Sequence, residues 1–357
     1  MTDSPLLAQP LTVRGVTMNN RIVVSPMCQY SAIDGMPNAW HQQHLGSRAV
    51  GGAGLVFTEA AAVTAQGRIS PQDAGIWNDT QAQAWRPIVD FIRSQGAVAG
   101  IQLAHAGFKG STHRPWDDYH GAVAGWEGGW QPVGPTVTPF SDDYPTPRAL
   151  GTSEVAGVVG AFVAAARRAL DSGFQVLEVH AAHGYLLHEF LSPLSNTRVD
   201  IYGGCRENRM RLPLEVVRSV RAEAGEQVPI FVRISATDWT RGGWDADDSV
   251  VLARALAGAG ADLIDCSSGG VVPKAEIPVG PGYQVPLAGR IRREAGVPSG
   301  AVGMIIEPEQ AEQILVDGHA DLVLLARELL RDPYWPRRAL IELGAQPQWP
   351  VQYARAR

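Results

Sequence analysis

Gln175-Val176-Leu177-Glu178-Val179-His180-Ala181-Ala182-His183-Gly184-Tyr185 is the stretch on which the reading of the whole chain turns. Its first five residues predict a short buried strand, Gln175–Val179. That strand empties directly into two imidazoles and a phenol, His180, His183 and Tyr185. Three groups that each donate hydrogen bonds, gathered at one strand end, suit the gripping and protonation of an oxygen-bearing substrate. Two histidines satisfied in a core, or a pair of metal ligands, fit the local sequence equally well, so the surrounding chain has to decide.

Outward from this point, short apolar strands alternate with amphipathic stretches. Strands are predicted at Ile22–Ser25, Gly54–Glu59, Val98–Leu103, Ile230–Ile234, Leu263–Cys266, Gly300–Gly303 and Leu322–Ala326, making eight in all. Helices are predicted at Thr80–Ser94, Ser153–Asp171, Glu207–Ala224, Ala246–Ala257, Pro308–Val316 and Glu328–Leu343. Eight strands, each followed by a crossover, predict an α/β fold of the eightfold β/α (TIM) barrel type, one domain over residues 1–357. A doubly wound sheet is the alternative, but no GxGxxG turn follows any strand. His105 to Thr152 breaks the rhythm with Trp116, Trp126, Trp130 and six prolines. A connection of this length after the third strand is expected to cap the barrel mouth.

Composition narrows the function. A net charge of −6 argues against a nucleic-acid footprint. No apolar run reaches membrane-spanning length, and Met1–Gln9 lacks the basic, apolar layout of a signal peptide, so a cytoplasmic protein is expected. Cys28, Cys205 and Cys266 are odd in number and far apart, which suits reduced thiols. Without a CxxC pair, structural zinc and iron–sulfur sites are not expected.

The strand ends carry the chemistry in such a barrel. The first presents Ser25-Pro26-Met27-Cys28-Gln29-Tyr30, a tight turn with a thiol and a phenol. The third presents Gln102, whose amide both donates and accepts. The fifth carries Arg233 on an otherwise apolar strand, where a bound anion is expected as its partner in preference to a protein carboxylate. The last two end in Gly303 and in Ala326-Arg327, where phosphate often sits in barrels of this type. Together these ends imply a flat, phosphate-bearing cofactor.

These motifs resemble the Old Yellow Enzyme family of flavin-dependent ene reductases, in its short bacterial, thermophilic-like branch. The resemblance runs from about Leu6 to Arg355. It includes Ser25–Tyr30, Ile101–Gly107, His180–Tyr185, Leu191-Ser192-Pro193-Leu194-Ser195-Asn196, Tyr202-Gly203-Gly204, Glu207-Asn208-Arg209 and Pro350-Val351-Gln352-Tyr353, in this order. The resemblance implies bound FMN, with Ser25, Pro26, Met27, Cys28 and Ala60 along the ring. Gln102 would reach its pyrimidine edge, Arg233 its N1 and O2, and Gly303, Ala326 and Arg327 its phosphate. Cys28 would tune the redox potential and not attack substrate. NADPH, with NADH as the alternative, would be the hydride donor, and an α,β-unsaturated carbonyl compound or nitroalkene the acceptor.

In that scheme His180 and His183 bind the acceptor's oxygen, Tyr185 protonates its α-carbon, and Tyr30 and Lys109 help to bind the acceptor. Arg355, in the tail 344–357, would reach a neighbouring subunit's site, implying a homodimer or homotetramer. The chain departs from the family pattern at Ala326 (usually Gly), where a positive φ would be costly, at Cys205 (usually Ser) and at Phe108 (often Arg). The competing function is a metal-dependent barrel hydrolase using His180, His183, His188 or His105. It lacks a carboxylate cluster beside those histidines in sequence. An RNA-modifying flavoprotein and a longer dienoyl-CoA reductase fit the acidic balance and the chain length less well.

Overall fold

A computed structural model describes residues 4–356. Eight strands, β1 (Ile22–Val24), β2 (Leu55–Ala62), β3 (Val98–Ala104), β4 (Val176–Ala181), β5 (Ile230–Ser235), β6 (Leu263–Ser267), β7 (Ser299–Ala301) and β8 (Leu322–Leu325), pair in parallel and in chain order. β8 pairs with β1, so the sheet closes into the expected barrel. All residues of these strands are buried, as they must be when both faces of a sheet are covered.

Around the barrel lie α1 (Ala39–Val50), α2 (Asp79–Ser94), α3 (Thr152–Asp171), α4 (Arg211–Ala224), α5 (Ala246–Gly258), α6 (Val285–Arg290), α7 (Pro308–Val316) and α8 (Trp335–Glu342). The core between helices and sheet is built on large buried side chains, among them Trp85 of α2, Phe162 of α3 and Trp335 of α8. α2 starts at Asn78, whose side chain accepts from Gln81 N in a reciprocal capping box. A second core fills the barrel interior with Val23, Leu55, Phe57, Val98, Val176, Phe231, Leu263, Leu322 and Leu324. Phe57 and Phe231 meet edge to face there, 5.9 Å apart. Gly100 makes room for them, since a Cβ on it would stand 2.6 Å from the Phe57 ring.

The helix expected over Glu328–Leu343 is two helices, Arg327–Arg331 and α8. Asp332 precedes Pro333 and takes extended geometry (φ −131°), because the proline ring disfavours helix at the residue before it. Similarly, Glu207–Ala224 divides into Arg206–Arg209 and α4. α1 and α6 escaped the periodicity reading. α1 buries His41, His44 and Arg48 beside Leu45 and Ala49, so it has no apolar stripe to betray it. Its readable signal is the cap, with Asn38 accepting from Trp40 N and His41 Nδ1 accepting from Asn38 N.

The excursion from His105 to Thr152 is held by two 3-10 turns and the paired dipeptides Val133–Gly134 and Arg148–Ala149. Ahead of β1, Leu11–Val13 and Val16–Met18 form an antiparallel hairpin, and Met18 joins the interior core. Among the described residues no helix is long and apolar enough to cross a membrane.

Candidate active site

Alternation along each strand sends every second side chain into the barrel. On β4 these are Val176, Glu178 and His180; on β5, Phe231, Arg233 and Ser235; on β6, Leu263, Asp265 and Ser267. The first of each set belongs to the apolar interior, and the later ones form a polar layer toward the C-terminal end. Arg233 is the centre of that layer. Its Nε lies 3.1 Å from Asp265 Oδ2, and its Nη1 donates to Ser25 Oγ at 3.0 Å. The expectation that a bound anion, in preference to a protein carboxylate, would balance Arg233 is therefore corrected: Asp265, two residues beyond Leu263 on the neighbouring strand, is a fixed internal partner. The alternation argument had passed over both Asp265 and Glu178.

Gln102 Nε2 donates to Glu178 Oε1 at 2.8 Å, which turns the amide and leaves Gln102 Oε1 as an acceptor. Glu178 Oε2 and both Asp265 oxygens have no hydrogen bond. Burial, reinforced by the Asp265 charge, pushes the Glu178 carboxyl up to about 8. Burial also raises Asp265, against the pull of Arg233.

The turn after β4 gathers the predicted chemical groups. The His180 ring lies 5.2 Å from that of His183 and 5.0 Å from that of Tyr185, edge to face in both cases. His180 Nδ1 accepts from Ala182 N at 3.3 Å, which leaves the proton on Nε2. His183 Nε2 lies 2.7 Å from Ser267 Oγ. His183 and Gly184 both take left-handed backbone, φ 60° and 74°. This is affordable for glycine and strained for histidine.

The turn is braced from several sides. Ser235 Oγ accepts from His183 N and donates to Gly269 O. Lys109 Nζ donates to His183 O and Gly270 O, beneath the Phe140 ring at 4.1 Å. The Lys109 ammonium is thus engaged with the turn itself, and burial brings it down to about 8. Phe108 is buried, with its ring edge-on to Phe140. Burial, with Arg233 adding to it, drives His180 and His183 well below the usual imidazole range, so both are neutral. Burial likewise holds Tyr185 well above the usual phenol range.

At the end of β1, Glu59 of β2 ties down the Ser25–Tyr30 turn. It accepts from Gln29 N at 2.9 Å and lies 3.1 Å from His41 Nε2 of α1. Tyr30 is left-handed (φ 47°) and packs edge-on to Trp116 of the 105–152 excursion. Burial, then the charges of Asp73 and Glu59, keeps the Cys28 thiol protonated, and burial raises Tyr30 as well. Ala60, just past a bulge in β2, pairs with Gln102.

Across the mouth a cavity of about 310 Å³ is lined by Arg233, Ser267, Gln284, Gly303, Ala326 and Arg327, among others. Gly303 has φ 122°, and a Cβ there would stand 2.8 Å from Gln284 Nε2, so no other residue fits without displacement. Ala326 has φ −111°, which removes the penalty expected for alanine at a left-handed position. Arg327 begins a short helix beside it.

Residues 6–345 match the family described as NADH:flavin oxidoreductase / NADH oxidase. The chain belongs to this family. It is 48% identical over 352 residues to the NADPH dehydrogenase of Geobacillus thermodenitrificans (strain NG80-2), covering 98% of each. It is 44% identical over 354 residues to the NADPH dehydrogenase of Bacillus subtilis (strain 168), again covering 98% of each. Among solved structures, morphinone reductase superposes with a TM-score of 0.80 at 28% identity, covering 98% of this chain and 92% of that one. A complex of 2-naphthoyl-CoA reductase with 2-naphthoyl-CoA gives 0.85 at 26% identity, and this chain spans 52% of its length.

The Old Yellow Enzyme resemblance therefore holds, and the chain is an FMN oxidoreductase of this family. Its residues suit FMN. A cradle that a Cβ would fill at Gly303, with Arg327 beside it, matches a phosphate. Gln102, with its acceptor oxygen set by Glu178, and the buried Arg233 match the polar edge of the ring. Arg355 is different. It is exposed on the terminal 3-10 turn Val351–Ala356 and lines none of the described cavities at the mouth; Arg357, the end of the tail, lies outside the described residues.

The rival metal site has no such support. Among the described residues no three His, Cys, Asp or Glu side chains are arranged to hold a metal ion. His188 is turned to Asp238, and His105 Nδ1 accepts from Gly107 N. Sequence reasoning missed Glu59, Asp265, Ser235, Ser267 and Gln284. Ser235 and Ser267 were legible only as polar residues at strand ends, and Gln284 stands just before α6, well away from any strand end.

Proposed function

We propose that this dehydrogenase reduces the activated C=C bond of α,β-unsaturated carbonyl compounds or nitroalkenes. The observation that carries the reading is the convergence of three neutral hydrogen-bond donors, His180, His183 and Tyr185, at the end of β4. Gln102, Arg233, Gly303 and Arg327 would hold FMN, which would supply the hydride-transfer chemistry between NADPH and the substrate. The residues of the chain do the rest. His180 donates from Nε2. His183, held through Nε2 by Ser267 Oγ, is the second donor in the tautomer that carries its proton on Nδ1. Two such donors on the substrate oxygen polarise the alkene and stabilise the charge that develops on it, each contributing about 2.7–4 kcal/mol.

Tyr185 then gives its proton to the α-carbon. Its raised pKa suits an acid that holds its proton until a strong carbon base forms. Cys28, kept as a thiol, serves to tune the cofactor, and Tyr30 flanks the substrate. An absorbance spectrum, followed anaerobically by NADPH and then cyclohexenone, tests the reading: flavin bands bleached by the first and restored by the second are expected. Bleaching without recovery would overturn it. As a companion proposal, Arg355 completes the site of a neighbouring copy in a cytoplasmic homodimer or homotetramer, supported by the exposed tail and its Gln352-Tyr353-Ala354-Arg355 motif.

A further inference from the structure

His188 and Asp238 form a pair with no part in the chemistry described above, and both side chains are wholly buried. His188 lies on the short helix Leu186–Leu191, and its Nε2 is 2.9 Å from Asp238 Oδ1. The other carboxylate oxygen, Oδ2, accepts from Ser192 Oγ at 2.6 Å and Trp244 N at 2.7 Å. Although burial opposes it, His188 and these hydrogen bonds hold the Asp238 carboxyl below the usual range. An ionised Asp238 can only accept, so the His188 proton sits on Nε2 and Nδ1 is left with a lone pair. That lone pair takes the N–H of Gly184 at 2.8 Å.

Gly184 is the residue between His183 and Tyr185. It is left-handed and hemmed in, since a Cβ on it would stand 2.2 Å from Gly270 O. Ser235 and Lys109 hold the His183 side of the turn through its backbone. His188 is the side chain that holds the Gly184 amide and so fixes the course of the backbone into Tyr185. We propose that His188, oriented by Asp238, is a positioning residue that sets the Tyr185 hydroxyl against the two histidine donors. This rests on the proposed ene reduction, in which the phenol must meet the α-carbon while the imidazoles hold the oxygen. A misplacement of about 1 Å at such a group can cost about 100-fold in rate.

Two conservative variants divide the two contacts of His188, its hydrogen bond from Gly184 and its pairing with Asp238. In His188→Gln the amide nitrogen reaches Asp238 but nothing accepts from Gly184. In His188→Asn the side-chain oxygen stands where Nδ1 stood, accepting from Gly184, and Asp238 loses its donor. The expected result is that reoxidation by cyclohexenone slows about 10- to 100-fold in His188→Gln and about 3-fold or less in His188→Asn. Exchange of the Gly184 amide proton, followed by NMR, should accelerate in His188→Gln and stay near wild type in His188→Asn. Tyr185→Phe with His188→Gln should be no slower in reoxidation than Tyr185→Phe alone, because His188 acts through that phenol.

Loss that follows His188→Asn instead, or rate losses that multiply in the double variant, would make the pair a purely structural one and overturn the proposal. Failure of the wild-type protein to be reoxidised by cyclohexenone would overturn the proposed function. The Gly184 amide would then still decide, independently of turnover, whether His188 positions the turn.

Discussion

Glu178→Gln is expected to change how stability depends on pH more than it changes stability at any one pH. Glu178 shares a wholly buried layer with Asp265, Arg233 and Gln102, so two carboxylates face one guanidinium. Burial and the Asp265 charge raise the Glu178 carboxyl from an ordinary 4.5 to about 8 in the folded protein. Between those values the folded chain keeps a proton that the unfolded chain releases. Wild-type stability therefore falls as pH rises through that window, at up to about 1.4 kcal/mol per pH unit, and levels off above the folded value. Glutamine has no proton to lose. Its oxygen can accept from Gln102, and its amide nitrogen stands where Glu178 Oε2 has no hydrogen bond.

From pH 5.5 to 7.5 the variant should gain about 1–3 kcal/mol on the wild type, Asp265 sharing part of the same proton. With roughly 1–2 °C per kcal/mol for a chain of this size, the gap in Tm should widen by about 1–6 °C. Thermal melts of both FMN-saturated proteins at the two pH values measure it. Parallel melting temperatures, or a variant that loses ground as pH rises, would refute the shared-proton account of this layer.

Tyr185→Phe should leave reduction by NADPH intact while slowing reoxidation by cyclohexenone about 10²- to 10⁴-fold in stopped flow, and equal damage to both steps would contradict the proton-donor role. Because burial keeps both histidines neutral and Tyr185 protonated, the reoxidation rate should be flat from about pH 5 to 7, below the range in which Glu178 and Lys109 titrate; an imidazole-like step there, read from the pH profile, would contradict it. Gly303→Ala forces a Cβ to within 2.8 Å of Gln284 Nε2 at φ 122°, so the purified variant should retain less FMN per chain than the wild type. Truncation after Tyr353 should weaken enone binding if Arg355 serves a neighbouring site, and unchanged kinetics would remove that role.

Legibility in the sequence followed the strength of each physical signal. The barrel strands were readable because both of their faces are buried and each is a near-continuous apolar run between turns. The groups at their C-terminal ends were readable because polar side chains interrupt those runs. α1 was hidden because its inner face is built from His41, His44 and Arg48, which satisfy one another's surroundings through specific bonds and carry no periodic hydrophobicity. Asp265 was hidden for a related reason. In Leu263-Ile264-Asp265-Cys266 it looks like an interruption, and only pairing of β6 with β5 puts it opposite Arg233. His188 was visible as a histidine, yet its partner lies 50 residues on, beyond the end of the next strand.

The pairing also explains why the resemblance alone would misread Arg233. A residue that serves a cofactor must be tolerable in the chain before the cofactor arrives, and an unpaired guanidinium in a closed barrel is not. Asp265 and Ser25 satisfy it internally. The remaining carboxyl, Glu178, then has no cation of its own, which leaves it to hold a proton and to orient Gln102. Moving two residues along the inner face of β4, β5 or β6 passes from Val176, Phe231 and Leu263 to Glu178, Arg233 and Asp265, and two more reach His180, Ser235 and Ser267. The apolar plug, the charge-balanced layer and the reacting groups are therefore successive turns of one alternation. A substitution in the middle layer should register both in stability, through the plug beneath it, and in cofactor properties, through the groups above.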